Sequence, residues 1–361
     1  MTDSSVTFHG WASTGSVQLQ PWSYHPRALG PRDVEIQISH CGICASDIHT
    51  IKGEWGPLVQ GTCIAGHEII GTVVARGVDQ AEKFAIGDRV GVGAIAESCQ
   101  TCEYCTRGLD QQCAQRTFSF NDTYKVEQDE HRRGVTYGGF ADGVRVPGDF
   151  VYKIPDAISS AEAAPLMCAG STTYAPLAHH GAGPDKRVGI YGIGGLGHMA
   201  LQWARAFQAK EVVAISTSDD KRDEAKQLGA TRFVNSRDKD SMKQASGSME
   251  LLLVTSFGPD TDYNELLSLV ANNGTCVLLA VPEKDISLSV SSLLGRHINL
   301  TAWLLGGRTA IRQMLDFAAK HNVRPWIETM PMSDANAAIK KAMDGFPRYR
   351  VVMHTGVVEE P

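Results

Sequence analysis

The chain has 361 residues, too many for one ordinary core and enough for two domains. Apolar residues, 43% of the total, can fill two cores, yet no stretch approaches the apolar length needed to span a bilayer. A formal net charge of -6 without a concentrated basic face argues against nucleic acid as a partner. Nothing in the N-terminal MTDSSVTFHGWAS resembles a signal peptide, so cytoplasmic placement and reduced thiols are expected.

Taken in chain order, residues 1–158 have β-rich, turn-punctuated character. Residues 33–38 alternate with period two, and 69–75 and 140–146 are further expected strands. From residue 159 to 304 the pattern changes to alternating strand and helix, with parallel strands expected at 212–216, 251–255, 276–280 and 298–304. Residues 305–361 hold two helical patterns, 310–321 and 335–343, and a last strand at 350–354. The mixed-sign runs 129–133 and 239–243 read as solvated loop or helix faces.

Four cysteines, Cys99, Cys102, Cys105 and Cys113, have C-x2-C-x2-C-x7-C spacing, which fits a closed tetrahedral zinc site. The intervening residues offer no apolar periodicity, so metal ligation would have to supply the folding energy there. A pair of disulfides, or four unrelated thiols, are the alternatives. A second set of ligand types lies in CGICASDIH at 41–49, in Gly66-His67-Glu68 and, much later, at Cys168. Two thiolates and one imidazole leave a fourth position free for water or a substrate oxygen, the pattern of a catalytic zinc.

The third motif, Gly192-Ile193-Gly194-Gly195-Leu196-Gly197, follows the apolar run 187–191 and precedes a helical pattern through Met199, Ala200, Trp203 and Phe207. In that context it reads as a dinucleotide-binding turn, with pyrophosphate at the helix N-terminus. NAD-binding proteins carry an Asp or Glu about 20 residues further on to hold the ribose 2′-hydroxyl. This chain has Ser216, Thr217 and Ser218 there, then Lys221 and Arg222, so the site favours NADP(H). Asp219 and Asp220 read as helix-start residues.

With AGHEIIGTVVARG, GDRVGVGA, GGFADGVRV, AAPLMCAGSTTYAPL, GIYGIGGLGHMALQWARAFQA and RYRVVM, these motifs resemble the zinc-dependent medium-chain alcohol dehydrogenases over nearly the whole chain. Within them the likeness is to the cinnamyl alcohol dehydrogenase branch, including fungal NADPH-dependent members of broad aldehyde range. The resemblance implies an α/β chain: a β-rich GroES-like catalytic domain with a structural zinc lobe (1–158), a doubly wound parallel-sheet Rossmann domain for the cofactor (159–304), and a segment returning to the catalytic domain (305–361). The active site would lie in the cleft between the domains. It implies two zinc ions per chain, one held by Cys44, His67 and Cys168 with Glu68 able to exchange onto it, leaving Cys41 as a neighbour. Ser46 would then bond the substrate oxygen, Asp47 would orient a ligand, and His49 would end the proton relay. Thr172 and Arg350 match cofactor-contacting positions, Arg350 at the pyrophosphate.

The same resemblance places Trp55 and Phe118 in the substrate pocket, with Trp303 a third candidate; domain packing is the other role open to Trp55 and Phe118. Phe118 stands where cinnamyl alcohol dehydrogenases often carry Trp. It also implies a homodimer joined through the edge at 298–303 with 287–290. The expected reaction is hydride transfer between NADPH and an aromatic or medium-length aldehyde. The alternatives are reduction of a C=N or activated C=C bond in a specialised metabolite, or a sensor without turnover. The relay set Ser46, Asp47, His49 and Glu68 favours carbonyl chemistry.

Overall fold

A computed structural model describes residues 2–126, 134–258, 261–282, 285–345 and 347–356. The charged run 129–133 lies outside them. The chain divides into two compact units: Met1–Cys168 with Gly306–Ala319 and Arg324–Pro361, and Ala169–Leu305 with Lys320–Val323. The division falls after Cys168, not after residue 158, because the helix Ser160–Pro165 packs on the strands Asp33–Ile43 and Glu68–Arg76 of the first unit.

The first unit is built around the strand Asp33–Ile43, longer than the alternating stretch the sequence marks. Valine and isoleucine at positions 34, 36 and 38 are fully buried, as period-two alternation requires. The strand pairs antiparallel with Glu68–Arg76 on one side. On the other side Gly143–Pro147 pairs with its first half and Arg350–His354 with its second. The sheet runs Val151–Lys153, Arg89–Val92, Glu68–Arg76, Asp33–Ile43, Arg350–His354, Ile327–Pro331. Its register matters for the chemistry: Gly42 faces Glu68, and Ile43 faces Val351.

The second unit is one six-stranded sheet in the spatial order Arg232–Asn235, Glu211–Ser216, Arg187–Tyr191, Met249–Val254, Val270–Leu278, Asn299–Ala302. Every pairing is parallel, so the order is 3-2-1-4-5-6 in chain sequence, with the switch between Arg187–Tyr191 and Met249–Val254. The three central strands, Glu211–Ser216, Arg187–Tyr191 and Met249–Val254, are mainly apolar and buried, as strands covered on both faces demand. The helix Gly197–Ala206 buries Met199, Ala200, Trp203 and Ala204. The helix Lys239–Ala245 turns Lys239, Asp240 and Lys243 to solvent and buries Met242 and Ala245, the solvated face expected for that run. No helix among the described residues is long and apolar enough to cross a membrane.

Candidate active site

Cys44 is the N-cap of the helix Ala45–Ile51, which leaves the strand Asp33–Ile43 directly. Asp47, in the first turn, accepts a hydrogen bond from the Cys44 backbone N–H at 2.8 Å, one half of a capping box. Its other oxygen accepts from the Gly66 N–H and from His67 Nδ1, each at 2.9 Å. That bond occupies Nδ1 and turns Nε2 toward the Cys44 sulfur. Cys168 comes from a π-helical turn, Leu166–Gly170, and its Sγ lies 3.9 Å from that of Cys44. Ligand atoms of Cys44, His67, Glu68 and Cys168 all fall within 4.8 Å of one another, and all four residues are buried. The Cys41 sulfur instead packs against Gly66 and Gly139.

Burial and crowding pull the groups of this cluster in different directions. The bond from Cys168 and then that from His67 hold Cys44 well below the usual thiol range, against burial. Burial opposes charge on His67, but the Asp47 carboxylate overrides it and raises its pKa well above the ordinary value. Burial pushes Glu68 up to about 7 despite the pull of Arg350. Arg350 bonds Glu68 Oε1, while Oε2 is buried with no partner. Gly42 makes the room: a Cβ there would sit 1.9 Å from Glu68 Oε2. Arg350, expected at a pyrophosphate, is paired here with Glu68, carried to it by the pairing of Arg350–His354 with Asp33–Ile43.

Ser46 and His49 lie three apart on the same helix, on neighbouring positions of one face. The Cys44 sulfur is 3.6 Å from Ser46 Oγ. His49, a third exposed, bonds Glu54 through Nδ1 and stacks on Trp55 with ring centroids 5.1 Å apart. Trp55 is 53% exposed. The ring stacked on His67 is Phe120, at 5.5 Å, whereas Phe118 sits in a short strand beneath Arg116.

The four-cysteine lobe is also assembled: the sulfurs of Cys99, Cys102, Cys105 and Cys113 lie within 4.8 Å of one another. Cys113 is 3.5 Å and Cys105 3.9 Å from Cys99, and all nine cysteines are free of disulfides. Backbone N–H groups of Thr101 and Cys102 bring Cys99 down to about 6 against the effect of burial. The lobe is tied to the helix Arg308–His321 through Arg308, which bonds Asp110 and Gln100.

In the second unit a crevice of about 530 Å³ opens at the carboxyl ends of the first four parallel strands. Gly192, Gly194, Ser216, Thr217 and Lys221 line it. Gly192 has φ +90, and a Cβ on Gly197 would meet the Gly192 carbonyl at 1.9 Å, so turn and helix pack too closely for any side chain. Leu196 is the N-cap of the helix that Gly197 begins. Gly195 and Ser218 are not among the lining residues, and the Ser218 hydroxyl bonds Asp220. Thr172, on the helix Ser171–His179, has a buried hydroxyl with no partner. Trp303 packs on His179 and His180 and donates its indole N–H to the Leu305 carbonyl.

Residues 30–156 match the alcohol dehydrogenase GroES-like domain, and residues 195–320 the zinc-binding dehydrogenase family. A probable mannitol dehydrogenase of Mesembryanthemum crystallinum is 40% identical over 348 residues, 95% of this chain and 93% of that protein. The chain belongs to the zinc-binding alcohol dehydrogenases. Among solved structures, a cinnamyl alcohol dehydrogenase of Sorghum bicolor superposes with a TM-score of 0.90 at 36% identity, covering 99% of this chain and all of that one. CAD of Helicobacter pylori, complexed with NADP(H), gives 0.85 at 30% identity over 97% and 98% of the two chains.

The donor chemistry of this dehydrogenase fits its family's groups. Two cysteine sulfurs, an imidazole nitrogen and an orphaned carboxylate oxygen suit an open zinc site, and four cysteine sulfurs a closed one. A Cβ on Gly194 would meet nothing within 4 Å, which leaves the turn open to a pyrophosphate, and the orphaned Thr172 hydroxyl offers a further contact. Sequence reasoning did not single out Glu54 or Phe120, nor Ser236 and Arg237, which also line the crevice. Only Glu54 left a signal, an acid shortly after the helix that carries His49.

Proposed function

We propose that this alcohol dehydrogenase is an NADPH-dependent reductase of aromatic or medium-length aldehydes, holding two zinc ions per chain. The observation that carries the reading is the buried Cys44–His67–Cys168 cluster with its unpartnered Glu68 oxygen, three ligands and one poised carboxylate. When bound, zinc supplies Lewis acidity to a carbonyl oxygen and the reduced nicotinamide supplies hydride. The chain's own residues do the rest. Cys44, His67 and Cys168 hold the metal, and Asp47 fixes the His67 tautomer. Ser46 would hand a proton to the substrate oxygen, and His49, a third exposed and bonded to Glu54, would restore it from solvent.

For NADP(H), support comes from the hydroxyls of Ser216 and Thr217 at the end of the second strand, where an NAD-binding protein would place a carboxylate. The NADP(H) bound to the Helicobacter pylori relative agrees. Trp55, exposed beside His49, offers apolar area to an aromatic substrate. Homodimer formation is supported by the strand Asn299–Ala302, an open edge of the parallel sheet with both end residues exposed. Val290, expected within that edge, instead begins the short helix Val290–Leu294.

The test is to mix the protein with NADPH or NADH and with cinnamaldehyde, acetaldehyde or an iminium substrate, and to follow the reduced nicotinamide by absorbance. The reading expects NADPH with cinnamaldehyde to give the highest kcat/KM, and metal analysis to give two zinc ions per chain. Turnover of the iminium substrate alone would replace aldehyde reduction with C=N reduction. Equal use of both cofactors would overturn the NADPH assignment.

A further inference from the structure

The sequence offers two cations to a 2′-phosphate, Lys221 and Arg222, and the structure occupies both. Arg222 pairs with Asp219 and lies over the Phe233 ring at 4.4 Å, and it does not line the crevice. Lys221 does line it, but its ammonium donates to the Ile193 carbonyl at 2.6 Å, bracing the glycine turn. A dianionic phosphate monoester facing only hydroxyls and a shared ammonium would be poorly neutralised.

A third cation stands at the same wall. The strand Arg232–Asn235 runs beside Glu211–Ser216, and its chain exit is stitched to the end of that strand by the Ser236 N–H, which donates to the Ser216 carbonyl at 2.8 Å. Asn235 Oδ1 then accepts the Arg237 N–H at 3.0 Å, turning the chain so that Arg237 lines the crevice with Ser216 and Thr217. The adjacent acid, Asp238, is engaged in capping the helix Lys239–Ala245. The Arg237 guanidinium itself has no hydrogen bond, ion pair or ring contact with any described residue. An arginine held next to two hydroxyls and given no internal partner has its five donors available for a ligand.

We infer that Arg237 is the residue that recognises the 2′-phosphate of the adenosine ribose, with Ser216 and Thr217 as its hydroxyl partners. The inference rests on the NADP(H) reading given above. It places cofactor choice on the third strand of the sheet as well as the second, and makes a fork-shaped guanidinium the main charge partner.

The experiment measures 2′,5′-ADP and 5′-AMP binding to the full-length protein by calorimetry, for the parent, R237Q and R237K, alongside kcat/KM for NADPH and NADH. The parent should prefer 2′,5′-ADP. R237Q should lose roughly tenfold or more of that affinity while 5′-AMP binding changes less than about twofold, and R237K should recover part of the loss. The salt dependence of 2′,5′-ADP binding should also flatten in R237Q. If the parent discriminates but R237Q binds 2′,5′-ADP within about twofold of it, the hydroxyls and Lys221 suffice and the inference is wrong. If the parent itself binds the two nucleotides equally, the NADP(H) reading falls first and this inference with it. Circular dichroism of each variant confirms that the exposed substitution leaves the fold intact.

Discussion

Replacing Asp47 by asparagine tests whether one buried carboxylate holds the metal cluster together. Asp47 is fully buried and accepts three bonds: Cys44 N–H on one oxygen, Gly66 N–H and His67 Nδ1 on the other. An asparagine keeps the shape but has only one acceptor oxygen. Its better orientation retains the Gly66 and His67 bonds and sets an NH2 group against the Cys44 N–H, two buried donors facing each other. Losing one bond to a charged acceptor, about 1.5 to 3 kcal/mol, and weakening two others gives an expected loss of about 2 to 4 kcal/mol. For a unit of this size that is roughly 5 to 12 °C in Tm. With His67 less firmly oriented, zinc affinity should fall about 10- to 100-fold. Thermal unfolding of parent and D47N, each after chelator treatment and after zinc reloading, separates the two effects, and competition with a zinc indicator gives the affinity. A D47N protein with an unchanged Tm in the zinc-free form, and zinc affinity within about twofold of the parent, would falsify the reasoning.

Three further substitutions and one labelling experiment probe other parts of the chain. Gly197→Ala, whose Cβ would meet the Gly192 carbonyl at 1.9 Å, should lower Tm and abolish nucleotide binding together. Gly194→Ala, with nothing within 4 Å of its Cβ, should leave Tm unchanged while weakening 2′,5′-ADP binding; calorimetry beside thermal unfolding checks both. Cys63 and Cys276 are buried and pushed up to about 12 by that burial, so iodoacetamide at pH 8 should leave both unmodified in the native protein and alkylate both in urea, as mass spectrometry would read. Glu250 takes hydrogen bonds from the Arg187 side chain and backbone, which lower its pKa in the folded state. Its contribution is therefore complete at neutral pH and disappears as pH falls through the folded value. Glu250→Gln should cost about 0.5 to 1 kcal/mol at pH 7, discounted because both side chains are about a third exposed, and the gap in Tm should close as pH falls through the lowered folded value.

The alternation of sheets, the two cysteine sets and the glycine turn were legible in the sequence because each is a local pattern. A strand announces itself by period two, a closed metal site by spacing, a dinucleotide turn by glycines between a strand and a helix. The Arg350–Glu68 pair was not legible because nothing near Arg350 in sequence mentions Glu68; only the pairing of the strand Arg350–His354 with Asp33–Ile43 brings the two together. Gly42 reads as one more glycine until the register sets Glu68 across from it. That Phe120 stacks on His67 was not legible, because which aromatic ring reaches His67 is decided by the loop path after the cysteine lobe. Arg237 escaped notice for a similar reason. It sits at the end of a neighbouring strand, and parallel sheets align strand ends that lie far apart in sequence.

The central position of Arg350–His354 also sets a timetable for synthesis. The strand Asp33–Ile43 is translated before the parallel sheet, but the neighbour that completes its second half is translated only after that whole sheet has been made. Throughout that interval the nascent first unit carries an unsatisfied strand edge and a Glu68 carboxylate lacking its arginine. The parallel-sheet unit is fully translated before the first unit can complete its central sheet, so it can fold ahead of the unit that precedes it in the chain. A stop codon placed before Arg350 would thus release a chain whose dinucleotide sheet is formed and whose catalytic sheet is still open.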